Sequence, residues 1–359
     1  MPATEQERGW TPDLLDGRAA RADARAERDL STAITDFLLP DEARLDDRTR
    51  HALGELVRGT IGSVETAVRR HAARLLAERG AADRAEALLT ARIDVPGRLI
   101  HAGLLRDPDM MGELLARVRQ DLRAAGLPLA TGGGDEPSLV VRLAAAPDAV
   151  VARAAAALLV ADNRRRDAAE RAAANGGELP AELHHRLVWW VAAAIREPID
   201  HDIDRAIAEA ALRAVAAHDE GERADAVAMR LAVAIAPNAR ELPDLLVEAL
   251  GDRRVGLFTA LLAQASGLPH EAARAITLEP AGDRLWLCLR AVALDRATIA
   301  RIALALSEAE PARDIEAFAD QLDAIVAIEP LAARAALLPM TLHADYRAAI
   351  RALARSEAR

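Results

Sequence analysis

Lysine is absent from the chain, so all 46 lysine and arginine positions among its 359 residues are arginine. P-loop NTPases and protein kinases need a lysine ammonium, and Schiff-base enzymes need a lysine amine. The absence of lysine therefore excludes all three classes. Nucleophile elbows, CxxC pairs and glycine-rich phosphate loops after a strand are absent as well, and we expect a protein without a cofactor.

Cysteine is scarce, and long apolar runs are missing. The single cysteine, Cys288, cannot form an intramolecular disulfide, and its apolar surroundings predict a buried thiol in a reducing compartment. No apolar run reaches the roughly 20 residues that cross a bilayer. We therefore expect no transmembrane segment and a cytoplasmic location.

Positive charge is also in deficit, because the formal net charge is −10. Binding to nucleic-acid phosphates requires a dense positive face. The composition therefore disfavours general nucleic-acid binding, and the expected partner is a protein.

Alanine is the most abundant residue, at about a quarter of the chain, while aromatic residues make up 2%. This mixture favours helices over strands. Capping residues and prolines mark the helix ends: in RDPDMMGELLARVRQDLRAAG, Asp107 is the expected N-cap, Pro108 the first helical residue and Gly126 the stop. Apolar residues recur at helical spacing, and the predicted fold class is all-α.

One stretch predicts how the helices are connected. SLVVRLAAAPDAVVARAAAALLVAD predicts a short helix, a turn at Pro147 and Asp148, and a second helix, as in a HEAT repeat. Such hairpins bury their faces against neighbours and occur in series. We therefore expect a HEAT-like stack of short helical hairpins, built as one α-solenoid or as two helical subdomains.

Composition also predicts the domain boundaries. Residues 127–138 contain three consecutive glycines and two prolines. They are the expected linker between an N-terminal helical subdomain (30–126) and a C-terminal helical repeat subdomain (139–359). The strongly charged residues 1–29 predict a partly flexible N-terminal segment.

Two segments in these halves correspond. Four residues of the first, His51, Leu53, Val57 and Ile61, each have an identical residue 134 positions later, beginning with His185. Duplication of a half explains the correspondence; chance similarity between helical segments of low complexity is the alternative.

Three segments carry a resemblance to a known family: LDDRTRHALGELVRGTIGSVETAVRRHAARLLA, LPAELHHRLVWWVAAAIRE and GLFTALLAQASGLPHEAARAITLEPAGDRLWLCLRAVAL. With them the chain resembles the bacterial domain of unknown function 2336 family, all-helical proteins typical of alphaproteobacteria, over most of residues 30–350. The resemblance implies an all-helical fold and supplies no catalytic residues.

The second of these segments predicts a partner surface around Trp189. The core stripe of its helix is expected to contain Leu183, Leu187, Trp190, Val191 and Ile195. Trp189 points roughly opposite this stripe, and His185 and Arg196 project on its side above a shallow floor of Ala192 and Ala193. An aromatic, a titratable and a cationic group are typical of interface anchors. Packing of Trp189 against the next helix pair is the alternative.

Arginines form a second candidate binding site. Arg164, Arg165 and Arg166 are consecutive and could clamp a phosphate or an acidic peptide, because a guanidinium pairs bidentately with oxyanions. A solvated helix end is the alternative. Arg69–Arg70–His71 and Arg253–Arg254 are further basic clusters of the same kind.

Histidines provide two further hypotheses. His51 and His185, at matching positions, are candidate phosphoacceptors of a phosphotransfer protein. His184, His201 and His218 follow one another at spacings of 17, and their order with neighbouring aspartates is similar to that of HD-type phosphohydrolases, although the residues that usually flank that motif are missing. Helix capping explains those aspartates equally well, and no metal site is predicted.

The leading hypothesis from the sequence is a non-enzymatic helical scaffold or adaptor that binds a protein partner in bacterial signalling or regulation. Phosphotransfer through His51 or His185 is the alternative, and a metal-dependent HD-like phosphohydrolase is the third hypothesis.

Overall fold

All regular structure that the computed structural model describes is helical, which confirms the all-α prediction. The described residues are 44–128, 137–170, 178–196, 200–279, 282–310 and 313–357.

The helices follow one another with short connections. The first nine are α1 (Asp47–Glu78), α2 (Ala82–Thr90), α3 (Val95–His101), α4 (Pro108–Gly126), α5 (Leu139–Ala144), α6 (Ala149–Glu170), α7 (Ala181–Ala194), α8 (His201–Ala216) and α9 (Ala224–Ile235). The others are α10 (Leu242–Gly251), α11 (Val255–Ser266), α12 (His270–Thr277), α13 (Asp283–Ala291), α14 (Arg296–Ala309), α15 (Ile315–Ala327), α16 (Pro330–Leu337) and α17 (Ala344–Glu357).

The chain divides into a small unit that ends at Arg50 and a large unit from His51 to Arg359. In the described part of the small unit, the Asp46 carboxylate accepts hydrogen bonds from the Thr49 backbone N–H (2.8 Å) and hydroxyl (2.6 Å). These bonds lower the pKa of Asp46 and cap the start of α1. The features described below belong to the large unit.

The start of α4 agrees with the sequence, whereas its end has a tertiary cause. The Asp107 carboxylate accepts from the N–H groups of Asp109 (3.0 Å) and Met110 (2.9 Å), and Pro108 is the first helical residue. Gly126 ends the helix, as predicted, but its φ is not positive. A Cβ at Gly126 would lie 2.7 Å from the carbonyl oxygen of Ala309, so the glycine allows α4 to approach α14.

The predicted hairpin is confirmed as α5 and α6, which pack against each other. Asp148 accepts a hydrogen bond from the N–H of Val150 (2.7 Å) at the start of α6. The serial, HEAT-like arrangement of such hairpins stays a prediction.

The central helix of the core is α11, most of whose side chains are buried, and it packs against α4, α9, α10, α12 and α13. A helix that is apolar all round belongs in the middle of a helical layer. Because α4 also packs on α14, helices of both predicted subdomains are in contact. Leu127, the first residue of the predicted linker, is fully buried in this core; residues 129–136 and 1–29 lie outside the described residues. Whether the subdomains are separable stays a prediction.

In the described part of the chain, no single helix is both long and apolar enough to cross a membrane. The segments Ile315–Ala327 and Pro330–Thr341 reach that length and hydropathy only when taken together, with a bend of 105° between them.

Candidate functional site

Helix α7, which carries the predicted partner surface, packs against α3 and α8. One guanidinium nitrogen of Arg98 in α3 donates to the carbonyl oxygens of Ala194 (2.7 Å) and Arg196 (3.0 Å). A cation at this position satisfies carbonyl groups that a helix end leaves without intrahelical partners. One face of α7 is thereby fixed towards the protein and the other towards solvent.

The buried face of α7 lies slightly further round the helix than predicted. Four predicted core residues, Leu183, Leu187, Val191 and Ile195, are buried. Trp190 is only partly buried, and Val188 and Ala192 fill the core in its place. The prediction that Ala192 forms part of an exposed floor beside Trp189 is therefore wrong.

The outer stripe of α7 consists of His185, Trp189, Ala193 and Arg196, at positions i, i+4, i+8 and i+11. Trp189 is partly buried and the other three are exposed. The rings of His185 and Trp189 are 6.3 Å apart, centroid to centroid, at 57°. The structure thus places the predicted residues on one solvent-facing stripe.

Arg196 in this stripe is already paired. Its Nε and Nη2 atoms each lie 2.7 Å from a different carboxylate oxygen of Asp204. This bidentate bond raises the pKa of Arg196 and lowers that of Asp204. The guanidinium is therefore held in position at the start of α8.

The three consecutive arginines do not form one patch. Arg164 pairs with Glu222 on the surface, whereas Arg165 lies 2.6 Å from Asp121 of α4 and is mostly enclosed. Successive residues of a helix point about 100° apart, which separates the two guanidiniums. The side chain of Arg166 lies outside the described residues.

The candidate phosphoacceptors His51 and His185 are both exposed. His184 is buried and stacks on His218, with 4.2 Å between ring centroids and 12° between planes. Among the described residues, no three His, Cys, Asp or Glu side chains come close enough to share a metal ion. The histidines of the phosphohydrolase hypothesis are thus not gathered into a ligand set.

A cleft of about 1000 Å³ lies where α1, α4, α6 and α9 meet the start of α11. Its apolar wall contains Leu56, Leu158, Val255, Leu257 and several alanines. Four arginines also line it: Arg117, Arg165, Arg253 and Arg254. A volume of this size is at the upper end of the range of small-molecule sites.

Five acidic residues of the cleft wall already have partners. Asp121 accepts from Arg165, and Asp162 pairs with Arg254. Glu55 pairs with Arg58, and the Asp252 carboxylate accepts from the backbone N–H of Leu139. Asp225 lies 3.1 Å from Arg274, whose guanidinium also pairs with Glu113.

The other two arginines of the cleft, Arg117 and Arg253, form no ion pair with a described residue. Arg117 and Arg253 make no side-chain hydrogen bond to any described residue, and both have an enclosed Nε. Arg117 is not among the site residues predicted from the sequence. The pattern in the sequence that could have indicated this position is the spacing of Arg117, Gln120, Asp121 and Ala124. This spacing places three polar residues on one stripe of an amphipathic helix.

Residues 134–338 match the family described as an uncharacterised protein conserved in bacteria, DUF2336. The matched range is narrower than the 30–350 expected from the resemblance, and it contains α5 to α16. No curated protein and no solved structure matches the chain. Since the match covers more than half of the sequence, the chain belongs to the bacterial DUF2336 family.

Proposed function

We propose that this protein is a non-enzymatic scaffold or adaptor that binds a protein partner through the outer stripe of α7, in bacterial signalling or regulation in the cytoplasm. The observation that carries the proposal is the stripe itself. Trp189 lies partly exposed between exposed His185 and exposed Ala193, on the side of α7 opposite its core face.

The chemistry of the stripe suits an anchor. Tryptophan contributes a large contact area at little conformational cost, and it is among the residues that dominate binding energy at interfaces. Arg196 is held by Asp204, so less side-chain entropy is lost when a partner binds. We also propose that helical hairpins such as α5 and α6 are repeated in a HEAT-like series, which would present α7 as one unit of a larger binding surface.

The test compares two tryptophans of the same helix. Trp189→Ala should reduce partner capture from a bacterial lysate at least about tenfold, since anchor residues contribute about 2 kcal/mol or more. Trp190→Ala is the matched control, because Trp190 lies at the edge of the core face; it should retain the partner. Both variants are compared with the wild type by quantitative mass spectrometry of the captured proteins.

Thermal unfolding separates an anchor from a packing residue. Because Trp189 is partly buried, its replacement by alanine should cost less than the roughly 3 to 5 kcal/mol expected for a fully buried tryptophan. If Trp189→Ala is strongly destabilised yet still captures the same partner, the side chain packs the fold and the proposal is wrong.

Exposure of both candidate phosphoacceptors favours phosphotransfer as a second function. A histidine must reach the donor's active site to accept a phosphoryl group, and both His51 and His185 are solvent-accessible. Incubation with a labelled, phosphorylated response regulator should then transfer label to the wild type and less to His51→Gln or His185→Gln. Equal labelling of the wild type and the double variant would contradict this function.

A further inference from the structure

Arg117 is a largely enclosed cation without an acceptor. Its Nε and Nη1 atoms are buried, and no described residue accepts a hydrogen bond from its guanidinium. Burial, followed by the nearby charge of Arg165, lowers its pKa. A desolvated charge without a hydrogen-bond partner destabilises a fold, so an anion entering the cleft would complete the site.

Arg253 is the second such cation, and the turn before α11 places it. The N–H of Arg254 donates to the carbonyl of Ala249 (2.7 Å), and that of Arg253 donates to Leu250 (2.9 Å). This is the Schellman pattern, in which glycine is usual at the left-handed position. Here Arg253 occupies it with a φ of +58°, and its Nε is enclosed without an acceptor among the described residues.

The start of α11 adds backbone donors to the same cleft. Val255, Gly256 and Leu257 line it, and their N–H groups have no acceptor within the described structure, as is usual in the first turn of a helix. A Cβ at Gly256 would lie 3.2 Å from Nε2 of Gln120, so the glycine allows that side-chain amide to approach the helix start. Helix starts of this kind bind phosphate groups.

We propose that the cleft binds the phosphate group of a small organic phosphate monoester, with the dianion between Arg117, Arg253 and the start of α11. Two guanidiniums match the two charges of a monoester. The acidic residues of the wall are bonded to other groups and form no direct ion pair with these two cations, although the charges of Asp121 and Asp225 partly offset the burial of Arg117. The organic part of the ligand lies against Leu56, Leu158 and the neighbouring alanines. This site is independent of the partner surface on α7.

Isothermal titration calorimetry with phenyl phosphate tests the site in the full chain. The wild type should bind phenyl phosphate more tightly than inorganic phosphate, because only the ester contacts the apolar wall. Binding should weaken from about pH 8 to about pH 5, since the second pKa of a phosphate monoester is about 6. Arg117→Met and Arg253→Gly should each weaken binding at least about tenfold, as expected for the loss of a hydrogen bond to a charged group.

The stability of the variants without ligand distinguishes a binding role from a structural one. Arg117→Met removes an enclosed unpaired charge, and Arg253→Gly places glycine at a positive φ, so both variants should melt at or above the wild-type temperature. Arg119→Met, at an exposed position of the same helix, is the control and should bind within about twofold of the wild type.

Three results would overturn the proposal. If Arg117→Met or Arg253→Gly unfolds or melts well below the wild type, that arginine is structural. If inorganic phosphate binds as tightly as phenyl phosphate, the cleft does not recognise an ester. If a phosphoserine peptide binds and phenyl phosphate does not, the ligand is a phosphorylated protein.

Discussion

Replacement by alanine should raise the free energy of unfolding at one glycine of α4, Gly112, and lower it at another, Gly126. Gly112 is exposed in the second turn of the helix, and a Cβ there would meet nothing within 4 Å. Gly126, at the end of the helix, has the Ala309 backbone of α14 against it, with the carbonyl oxygen 2.7 Å and the Cα 3.1 Å from the position of a Cβ. Alanine is therefore accommodated at one site and excluded from the other.

The magnitudes follow from propensity and packing. Gly112→Ala should raise the free energy of unfolding by about 1 kcal/mol, the difference in helix propensity. At Gly126 the neighbouring atoms belong to backbone and cannot rotate away, so α4 and α14 must separate by several tenths of an ångström. Overpacking of this kind costs about 1 to 3 kcal/mol, which exceeds the smaller propensity gain at a helix end.

Urea unfolding followed by circular dichroism measures both variants. The midpoint of Gly112→Ala should move to higher urea and that of Gly126→Ala to lower urea, with similar slopes. A Gly126→Ala variant as stable as Gly112→Ala would mean that α4 does not pack closely on α14. It would then support two separable subdomains, as the composition of residues 127–138 suggests.

Two further predictions concern buried groups. Burial raises the pKa of the Cys288 thiol to about 11, so between about pH 9 and pH 11 the unfolded chain loses this proton while the folded chain keeps it. The free energy of unfolding should therefore fall by about 1 kcal/mol per pH unit in this range. Urea titrations at about pH 8 and pH 10 should show this extra loss of stability in the wild type and not in Cys288→Ala. Arg274→Met should leave the enclosed carboxylate of Asp225 without its ion pair and Glu113 with Arg223 alone, at 3.5 Å, and should cost about 3 to 5 kcal/mol. Arg205→Gln, which removes an exposed pair, should cost less than about 1 kcal/mol. Equal melting temperatures for the two variants would contradict the burial of this network.

Features that depend on neighbours in sequence could be predicted. The N-cap at Asp107 and the turn at Asp148 follow from local capping rules. Most of the buried stripe of α7 follows from helical periodicity. The family was predictable as well, because runs of helical sequence carried the resemblance. The capping and periodicity signals each lie within a few turns of one helix.

The cleft could not be predicted because it is built from helices far apart in sequence. Arg165 pairs with Asp121 and Arg254 with Asp162, and no local pattern indicates these partners. Adjacent arginines that look like one cluster in the sequence point in different directions. Conversely, Arg117 occupies an ordinary polar position of an amphipathic helix. It differs from other such positions only because helices distant in sequence form the rest of the cleft around it.

Comparison with the buried arginines of the fold shows why Arg117 indicates a binding site. Arg123 donates to the carbonyl of Thr277 and to Glu310, and Arg69 donates to Glu65 and to the carbonyl of Leu88. In a chain without lysine every buried basic side chain other than histidine is a guanidinium, whose five donors make an unpaired burial costly. Arg69 has acceptors in its own helix and in α2, and Arg123 has acceptors at the end of α12 and just after α14. The same fold gives Arg117 no acceptor among its described residues. Arg117 also lines the cleft beside the start of α11, where an oxyanion would balance its charge.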